Sequence, residues 1–357
     1  MKKTLVAPGV LALAVCAADA EENKADFPVA AALDWLARHQ SPDGLWRASG
    51  FSSRCERAKC AGVGAADGDV GVTGLALLAF LGAGETQSAG HFKATVKNAG
   101  KALREQQDAT GFIGPKSAAN ARLQSAYAAM ALTEMYGMTG ANAVREPSRL
   151  ASACVASMQD AAGGWKLADT DAACDPLLTS VCVLVLRDAK MSEFAVDAAA
   201  FERAVAWLDA PAQKAAPAAD ARTAASLGTR IFGRWDVDGV AKDPKCPEEG
   251  DALAAHAPEW TEKSAKDALW TWCLSAPPLF QRGGDAWDRW WKAFYKAVND
   301  HQLATADRCD RGSWDAVDAH VPFGGRVATT AVLCRALETP YVFGRLGAPA
   351  KGPPPPK

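Results

Sequence analysis

Several features that define other protein classes are missing from this sequence. After residue 20 it has no uninterrupted apolar run of about 18 residues, so no transmembrane helix is predicted in the mature chain. No charge sign dominates, since the formal net charge is -2, and nucleic acid or an anionic membrane surface is therefore not expected as a partner. Phosphate loops, dinucleotide fingerprints and nucleophile elbows are also absent. Long β-branched runs are scarce beside abundant alanine, which favours helix over sheet.

The N-terminus has the pattern of a signal peptide. Lys2 and Lys3 precede a mostly apolar segment over residues 5–18, and a small-x-small pattern ends at Ala20. Cleavage after Ala20 is predicted, which makes residues 1–20 a signal peptide and the protein periplasmic or secreted. Lipid attachment at Cys16 is the alternative, although Val15 fits that pattern poorly.

Disulfide bonds between cysteines are possible in this protein, because exported proteins fold in an oxidising environment. Cys55 and Cys60 lie five positions apart in a polar loop, and a local disulfide between them is predicted. A pairing of Cys246 with Cys309 is the second possibility, because sequence alone does not fix connectivity. Cysteines within apolar stretches are interpreted as buried thiols.

An internal repeat gives the clearest structural signal. An amphipathic helix is followed by glutamine, a turn, glycine and an aromatic residue. The four copies use Gln40, Gly44 and Trp46; Gln106, Gly111 and Phe112; Gln159, Gly164 and Trp165; and Gln302, Gly312 and Trp314. Between the copies lie helices that are apolar nearly all round and must be covered on every side.

This alternation predicts an outer ring of one-faced helices around an inner ring of apolar helices. Six inner helices are expected, at residues 73–84, 118–138, 177–189, 221–233, 267–280 and 325–341. Only five outer helices are apparent, because residues 240–263 have the composition of a loop. The ring domain is placed at residues 28–346, and residues 347–357 are expected to form a proline-rich disordered tail.

The repeats resemble the Gln–Trp motifs of the squalene/terpenoid cyclase and protein prenyltransferase superfamily. The resemblance is strongest to bacterial exported proteins with a prenyltransferase/squalene-oxidase-like (squalene cyclase-like) repeat. It depends on Asp69–Gly84, Gln159–Trp165 and Gly312–Glu338, with the sequences DVGVTGLALLAFLGAG, QDAAGGW and GSWDAVDAHVPFGGRVATTAVLCRALE. It implies an all-α fold, the α/α toroid, rather than a particular reaction.

The chemistry of that superfamily is not reproduced in the sequence. Cyclases of this kind use a DxDD motif, and the nearest segments here, at residues 169–172 and 236–239, lack its second pair of carboxylates. Prenyltransferases hold zinc through Asp-x-Cys and a distant histidine. Asp307 and Cys309 mimic that pair and His320 would be the third ligand, but they follow an outer helix, so no metal and no cofactor are predicted. The arginines that could bind a diphosphate are Arg230, Arg234 and Arg326.

Site residues are sought at the inner helices' N-termini. Asp69, Asp171 and Asp315 are the acidic catalytic candidates, although Asp69 also fits a helix N-cap. The candidates for binding a ligand are Tyr127, Trp270, Trp314 and Arg326. The tryptophans equally suit a core, and Arg326 could instead pair with Asp315 or Asp318.

The sequence therefore predicts a binding or interaction module with a central cavity for a small molecule, lipid or protein partner. One alternative is a cyclase-like or prenyltransferase-like enzyme with a divergent site. Another is a carbohydrate-active toroid enzyme, which would need two carboxylates facing each other.

Overall fold

The helices of this protein form two concentric rings. The computed structural model describes residues 27–56, 59–213, 216–234, 243–305 and 308–342, and the regular elements in these ranges are all helical. The inner helices are α2 (Asp69–Gly82), α4 (Ala121–Thr139), α6 (Pro176–Met191), α8 (Ala221–Gly233), α11 (Leu269–Arg282) and α13 (Gly325–Leu337). The outer helices are α1 (Phe27–Arg38), α3 (Lys93–Glu105), α5 (Asn142–Ser157), α7 (Ala199–Asp209), α9 (Cys246–Ala254) and α12 (Gly284–Asn299). Two short helices, α10 (Glu262–Asp267) and α14 (Thr339–Val342), complete the series.

The inner ring is closed. Each inner helix packs on the next, from α2 through α4, α6, α8 and α11 to α13, and α13 packs back on α2. Every residue of α2 from Val70 to Leu81 is buried, as an apolar helix surrounded on all sides requires. The predicted all-helical toroid and its six inner helices are confirmed. None of the described helices is long and apolar enough to cross a bilayer.

The sixth outer position is occupied by α9, so the prediction of a loop throughout residues 240–263 is wrong. Helix α9 packs on α8, α11 and α12. Pro247 lies in its first turn together with Glu248 and Glu249, and these residue types favour a helix start. The predicted signal peptide, Cys16, the segment 236–239 and the tail at 347–357 lie outside the described residues.

The repeats form a recurring junction between neighbouring outer helices, which we call a Gln–Gly seam. The four seams are Gln40/Gly44, Gln107/Gly111, Gln159/Gly163 and Gln302/Gly312. In each seam the glutamine amide donates to the carbonyl of its own glycine and to a carbonyl of the next outer helix. Gln40 reaches Gly44 and Thr95 of α3, both at 3.0 Å. Gln302 reaches Pro28 of α1 at 2.7 Å, so the same bond closes the outer ring.

Each seam glycine lies directly against the backbone of that next helix. Gly163 has φ of 106°, and a Cβ there would lie 2.3 Å from the carbonyl oxygen of Arg203 in α7. Gly312 has φ of 93° and would place a Cβ 2.1 Å from the carbonyl oxygen of Ala31 in α1. Glycine is required here both for the positive φ and for the close approach.

A buried residue two positions after each seam glycine anchors the loop to the inner ring. The indole nitrogen of Trp165 donates to Val155 of α5 at 2.8 Å, and its backbone N–H donates to Thr179 of α6 at 3.0 Å. Trp46 and Trp314 repeat both bonds in their own hairpins. Each copy therefore connects an outer helix, an inner helix and the next outer helix.

Three residue assignments in the predicted repeats are wrong by one position. The second seam uses Gln107 and Ile113, whereas Gln106 ends α3 and the predicted aromatic, Phe112, precedes the anchored position. In the third seam the glutamine bonds to Gly163 rather than to Gly164. The backbone pairs of Gln107 with Ile113 and of Gln159 with Trp165 show that these two seams share one spacing from glutamine to anchor, whereas Trp314 follows Gln302 after a longer loop.

Candidate functional sites

Long outer-to-inner loops surround the N-termini of the inner helices, and we call this face the loop end. Asp69 lies there in the first turn of α2. Its carboxylate accepts hydrogen bonds from Arg47 at 2.8 Å and from the backbone N–H of Ala48 at 2.9 Å. Gly68 is the N-cap residue instead, and Asp69 ties the preceding loop to the inner ring.

Two aromatic side chains, Tyr127 and Phe323, meet among the inner helices at the loop end. Tyr127 of α4 is 5% exposed, and its ring meets that of Phe323 edge to face at 6.1 Å. The Phe323 ring lies against Gly71 of α2, where a Cβ would approach it to 2.3 Å. Burial raises the pKa of Tyr127, and the nearby Asp175 raises it further. Tyr127 is therefore a neutral packing residue in this conformation.

Arg326 is buried, and its guanidinium is occupied by internal partners. It donates to the Ala61 carbonyl at 2.7 Å and to the Ser313 hydroxyl at 2.9 Å, and it forms an ion pair with Asp315. These contacts hold the α1–α2 loop against α13. Of the two predicted pairings, the structure contains the one with Asp315, whereas Asp318 accepts the backbone N–H of Trp270 at 2.8 Å.

The remaining predicted residues are separated rather than brought to one site. Trp314 is the fully buried anchor of its hairpin, and Trp270 is 6% exposed in α11. Asp171 accepts the backbone N–H of Ala168 at 2.8 Å within its own loop. Binding and catalytic roles for these residues stay predictions, because their described contacts are structural.

The loop end also contains an open groove of about 550 Å³ between the second and third hairpins. It is lined by Thr110, Phe112, Lys116, Ala118, Asn120, Ala121, Arg122, Cys154, Ser157, Met158, Leu167, Ala168 and Asp169. Arg122 donates to the Lys166 carbonyl at 3.2 Å and pairs with Asp169, whose side chain is 91% exposed. Lys116 pairs with Asp108 at 2.7 Å. The groove thus presents two cations whose carboxylate partners lie in solvent-accessible loops.

A cluster of charges lies at the opposite face, where the inner helices end. It consists of Glu134 of α4, Arg187 and Asp188 of α6, Arg335 of α13 and Glu338 just after it. Arg335 pairs with Glu134 at 2.6 Å, and Arg187 lies 3.8 Å from Asp188. We call these five residues the inner charge cluster.

Two acids of the inner charge cluster have raised pKa values. Burial raises the pKa of Asp188 to about 7, although nearby Arg187 opposes the shift. Burial also raises the pKa of Glu338 well above its usual value. Glu134 instead has a direct guanidinium partner in Arg335. Acids whose pKa is raised by burial are common both at catalytic sites and in structural ion networks.

One histidine and three cysteines converge where the first and last hairpins of the chain meet. The Nε2 atom of His39 lies 3.5 Å from the Cys55 sulfur, 3.8 Å from that of Cys60 and 3.5 Å from that of Cys309. All four potential ligand atoms lie within 4.8 Å of one another. We call these residues the Cys₃His cluster; they are the donor set of a tetrahedral zinc site.

The ring nitrogens of His39 are arranged as a metal ligand requires. Its Nδ1 lies 2.8 Å from the Trp35 carbonyl, so Nδ1 carries the proton and the Nε2 lone pair faces the sulfurs. Burial lowers the pKa of His39, which favours the neutral ring. The backbone N–H of Cys60 also donates to the Cys55 sulfur at 3.3 Å.

These contacts correct two predictions about the cysteines. The predicted Cys55–Cys60 disulfide is not formed, nor is the Cys246–Cys309 alternative, because the cysteines in the described ranges are all free thiols. Among the residues considered as zinc ligands, Cys309 belongs to the Cys₃His cluster. His320 is exposed and outside that cluster, and Asp307 lies outside the described residues.

Solved structures of known proteins share the toroid fold. An unsaturated glucuronyl hydrolase specific for heparin has a TM-score of 0.59 at 12% identity, over 89% of this chain and 97% of that chain. A glycoside hydrolase family 76 mannosidase from Bacteroides thetaiotaomicron has a TM-score of 0.58 at 9% identity, over 88% and 97%. A type II terpene cyclase from Scytonema reaches 0.43 at 15% identity, over 89% and 98%. No protein-family model and no curated protein sequence match the chain.

The two hydrolase comparisons agree with the helix arrangement and confirm the α/α toroid. At such low identities they establish the fold and leave the reaction open. The finer assignment to terpenoid cyclases stays a prediction.

Proposed function

We propose that this protein is a toroidal binding module for an acidic carbohydrate, which it holds in the loop-end groove. The observation that carries the proposal is the pairing of the groove cation Arg122 with the exposed carboxylate of Asp169. Arginine binds carboxylates with two parallel hydrogen bonds, and a uronic acid offers the same group. The groove volume of about 550 Å³ lies within the usual range for small-ligand sites.

Packing inside the ring supports a role at its surface. Tyr127 and Phe323 are 5% and 8% exposed, and a ligand at the axis would have to displace them. The groove needs no such change, because the Asp169 carboxylate is 91% exposed and can leave Arg122 when a competing anion binds. The heparin-specific hydrolase with the same fold acts on a carbohydrate that carries carboxylates, which is consistent with this substrate class.

The test is calorimetric titration with uronate-containing oligosaccharides and with neutral oligosaccharides of equal length. Arg122→Ala is expected to weaken uronate binding about tenfold or more, because a charge-assisted bond is lost. Asp169→Asn is expected to strengthen it by freeing the guanidinium. Arg149→Ala, which removes an exposed Arg149–Glu146 pair on α5, is the matched control. Equal affinity for both sugars, or no effect of either groove variant, would contradict the proposal.

A second candidate function is carbohydrate cleavage at the inner charge cluster. Asp188, whose pKa is raised to about 7, could donate a proton at neutral pH, while Glu134 is held beside Arg335. Release of reducing ends from a polysaccharide panel is the readout. Activity that persists in Asp188→Asn would exclude Asp188 as the acid. If neither the wild type nor the variant released reducing ends, carbohydrate cleavage would be rejected and the binding function would be retained.

A further inference from the structure

We propose that His39, Cys55, Cys60 and Cys309 bind one zinc ion that fastens the two ends of the chain together. Tetrahedral zinc with ordinary Zn–S and Zn–N bonds holds sulfur and nitrogen ligands about 3.6 Å apart. The three sulfur-to-Nε2 distances of 3.5, 3.8 and 3.5 Å match that spacing. The site is separate from the groove and from the inner charge cluster, so it does not depend on the proposed function.

The donor set favours zinc over other common ions. Thiolate and imidazole ligands suit zinc, whereas magnesium and calcium require oxygen ligands, and no carboxylate belongs to the group. The Trp35 carbonyl orients the His39 ring, and the same ring stacks on the Trp35 indole with centroids 4.3 Å apart. A fixed ring orientation of this kind is typical of metal-bound histidines.

Four protein ligands leave no open position for water or substrate, which is the arrangement of a structural zinc site. Binding of Zn²⁺ to three neutral thiols and one neutral imidazole would release about three protons and form three Zn–S bonds and one Zn–N bond. No oxidant or reductant takes part.

The location gives the ion a specific role in ring closure. His39 follows α1 and Cys309 follows α12, 270 positions later in the chain. The same junction contains the Gln302–Pro28 bond and the Arg326–Ala61 bond. A zinc ion that binds only the assembled site stabilises every state in which that site is intact. Zinc would therefore stabilise the junction between the first and last hairpins more than the opposite side of the ring.

The first experiment measures metal in the full chain purified without chelator. Elemental analysis is expected to give about one zinc per chain, as one closed site requires. Cys309→Ser is expected to lose the metal. Cys174→Ser, which changes a buried loop cysteine outside the Cys₃His cluster, is expected to retain it. Replacement by Co²⁺ should give thiolate-to-metal absorption in the wild type and in Cys174→Ser only.

The second experiment uses the wild type, so it remains informative if Cys309→Ser does not fold. A strong chelator is expected to lower the melting temperature, and added Zn²⁺ is expected to restore it. Hydrogen exchange should rise after chelation at α1 and near Gly312 before it rises at α6. Three results would overturn the proposal: zinc that neither copurifies nor shifts melting when added, a Cys55–Cys60 disulfide found by mass spectrometry, or exchange that rises uniformly.

Discussion

Most neighbouring outer helices are joined by hydrogen bonds and a glycine contact, whereas α7 and α9 are joined by a buried cluster of charges. From α1 to α7, and from α12 back to α1, each junction is a Gln–Gly seam made of neutral hydrogen bonds and a glycine contact. Between α7 and α9 the described residues contain no seam, and Arg230 of α8 joins the two helices instead. It donates to Asp209 at 2.9 Å, to Asp243 at 2.7 Å and to Glu249 of α9 at 3.2 Å.

The two kinds of junction should fail differently. A seam spreads its contribution over several bonds of ordinary strength, so loss of one bond leaves the others in place. The Arg230 junction concentrates charge, since Arg230 and Asp243 side chains are each 2% exposed. Removing Arg230 would leave Glu249 with the Ser226 hydroxyl and Asp243 with Arg234, and a buried carboxylate that loses its main counter-ion is costly.

The largest effect is expected for Arg230→Met. It leaves Asp243 and Glu249 without their shared guanidinium, and we expect a loss of about 3–5 kcal/mol in the free energy of unfolding. Urea denaturation followed by circular dichroism measures this. Arg149→Met, at an exposed pair with Glu146, is the control and should cost less than about 1 kcal/mol. A similar small loss in both variants would remove the contrast between the two kinds of junction.

The inner charge cluster tests whether concentrated charge also makes stability depend on pH. Burial raises the pKa of Asp188 to about 7, whereas an unfolded aspartate titrates near about 3.9. Between those values the folded chain holds a proton that the unfolded chain has released, so stability falls as the pH rises from about 4 to about 7. The loss is at most about 4 kcal/mol and is complete above the folded pKa.

Asp188→Asn removes this titration and should lose less stability than the wild type between pH 4 and pH 8. The measurement is the free energy of unfolding in urea at intervals of pH. Asp288→Asn, at an exposed position of α12, should follow the wild-type profile. Parallel profiles for the wild type and Asp188→Asn would show that folding does not change the pKa of Asp188.

For the seams, Gly163→Ala tests the close approach of the loop to α7. Alanine would have to adopt φ near 106° with its Cβ 2.3 Å from the Arg203 carbonyl oxygen. Strain and displacement together should cost about 2–3 kcal/mol. Gly84→Ala is the matched control, because Gly84 has φ of 80° but no atom within 4 Å of a Cβ, and it should cost about 1 kcal/mol. Equal losses would show that the backbone conformation matters and the contact does not.

The contrast also explains what could be predicted from the sequence. The seams recur with the same order of glutamine, glycine and anchor, so the four copies and the six inner helices are visible as a pattern, apart from one-position errors such as Gln106 for Gln107. Helix α9 lacks the repeat, and Pro247 together with two glutamates gave it the composition of a loop. Its junction depends on Arg230, Asp209 and Glu249, which belong to no repeated motif.

The Cys₃His cluster was missed for the same reason. Cys55 and Cys60 are close in the sequence and suggested a disulfide, while the ring brings Cys309 to His39 from 270 positions away. Polar loops on both sides of the closure gave no periodic signal that could connect them. Contacts between neighbours in the repeat are encoded locally, whereas contacts that depend on closure become apparent only when the fold is known.

The smallest effect is expected where a seam's anchoring residue meets the inner ring. Thr179→Val keeps the shape of the side chain but removes the hydroxyl that accepts the Trp165 backbone N–H at 3.0 Å. That buried N–H would lose its partner at a cost of about 1–2 kcal/mol, with the remaining seam bonds intact. Thr305→Val, at an exposed loop position, should change stability by less than about 0.5 kcal/mol. Urea denaturation of both variants decides the point, and a loss from Thr179→Val as large as that from Arg230→Met would mean that the seams fail as abruptly as the ion cluster.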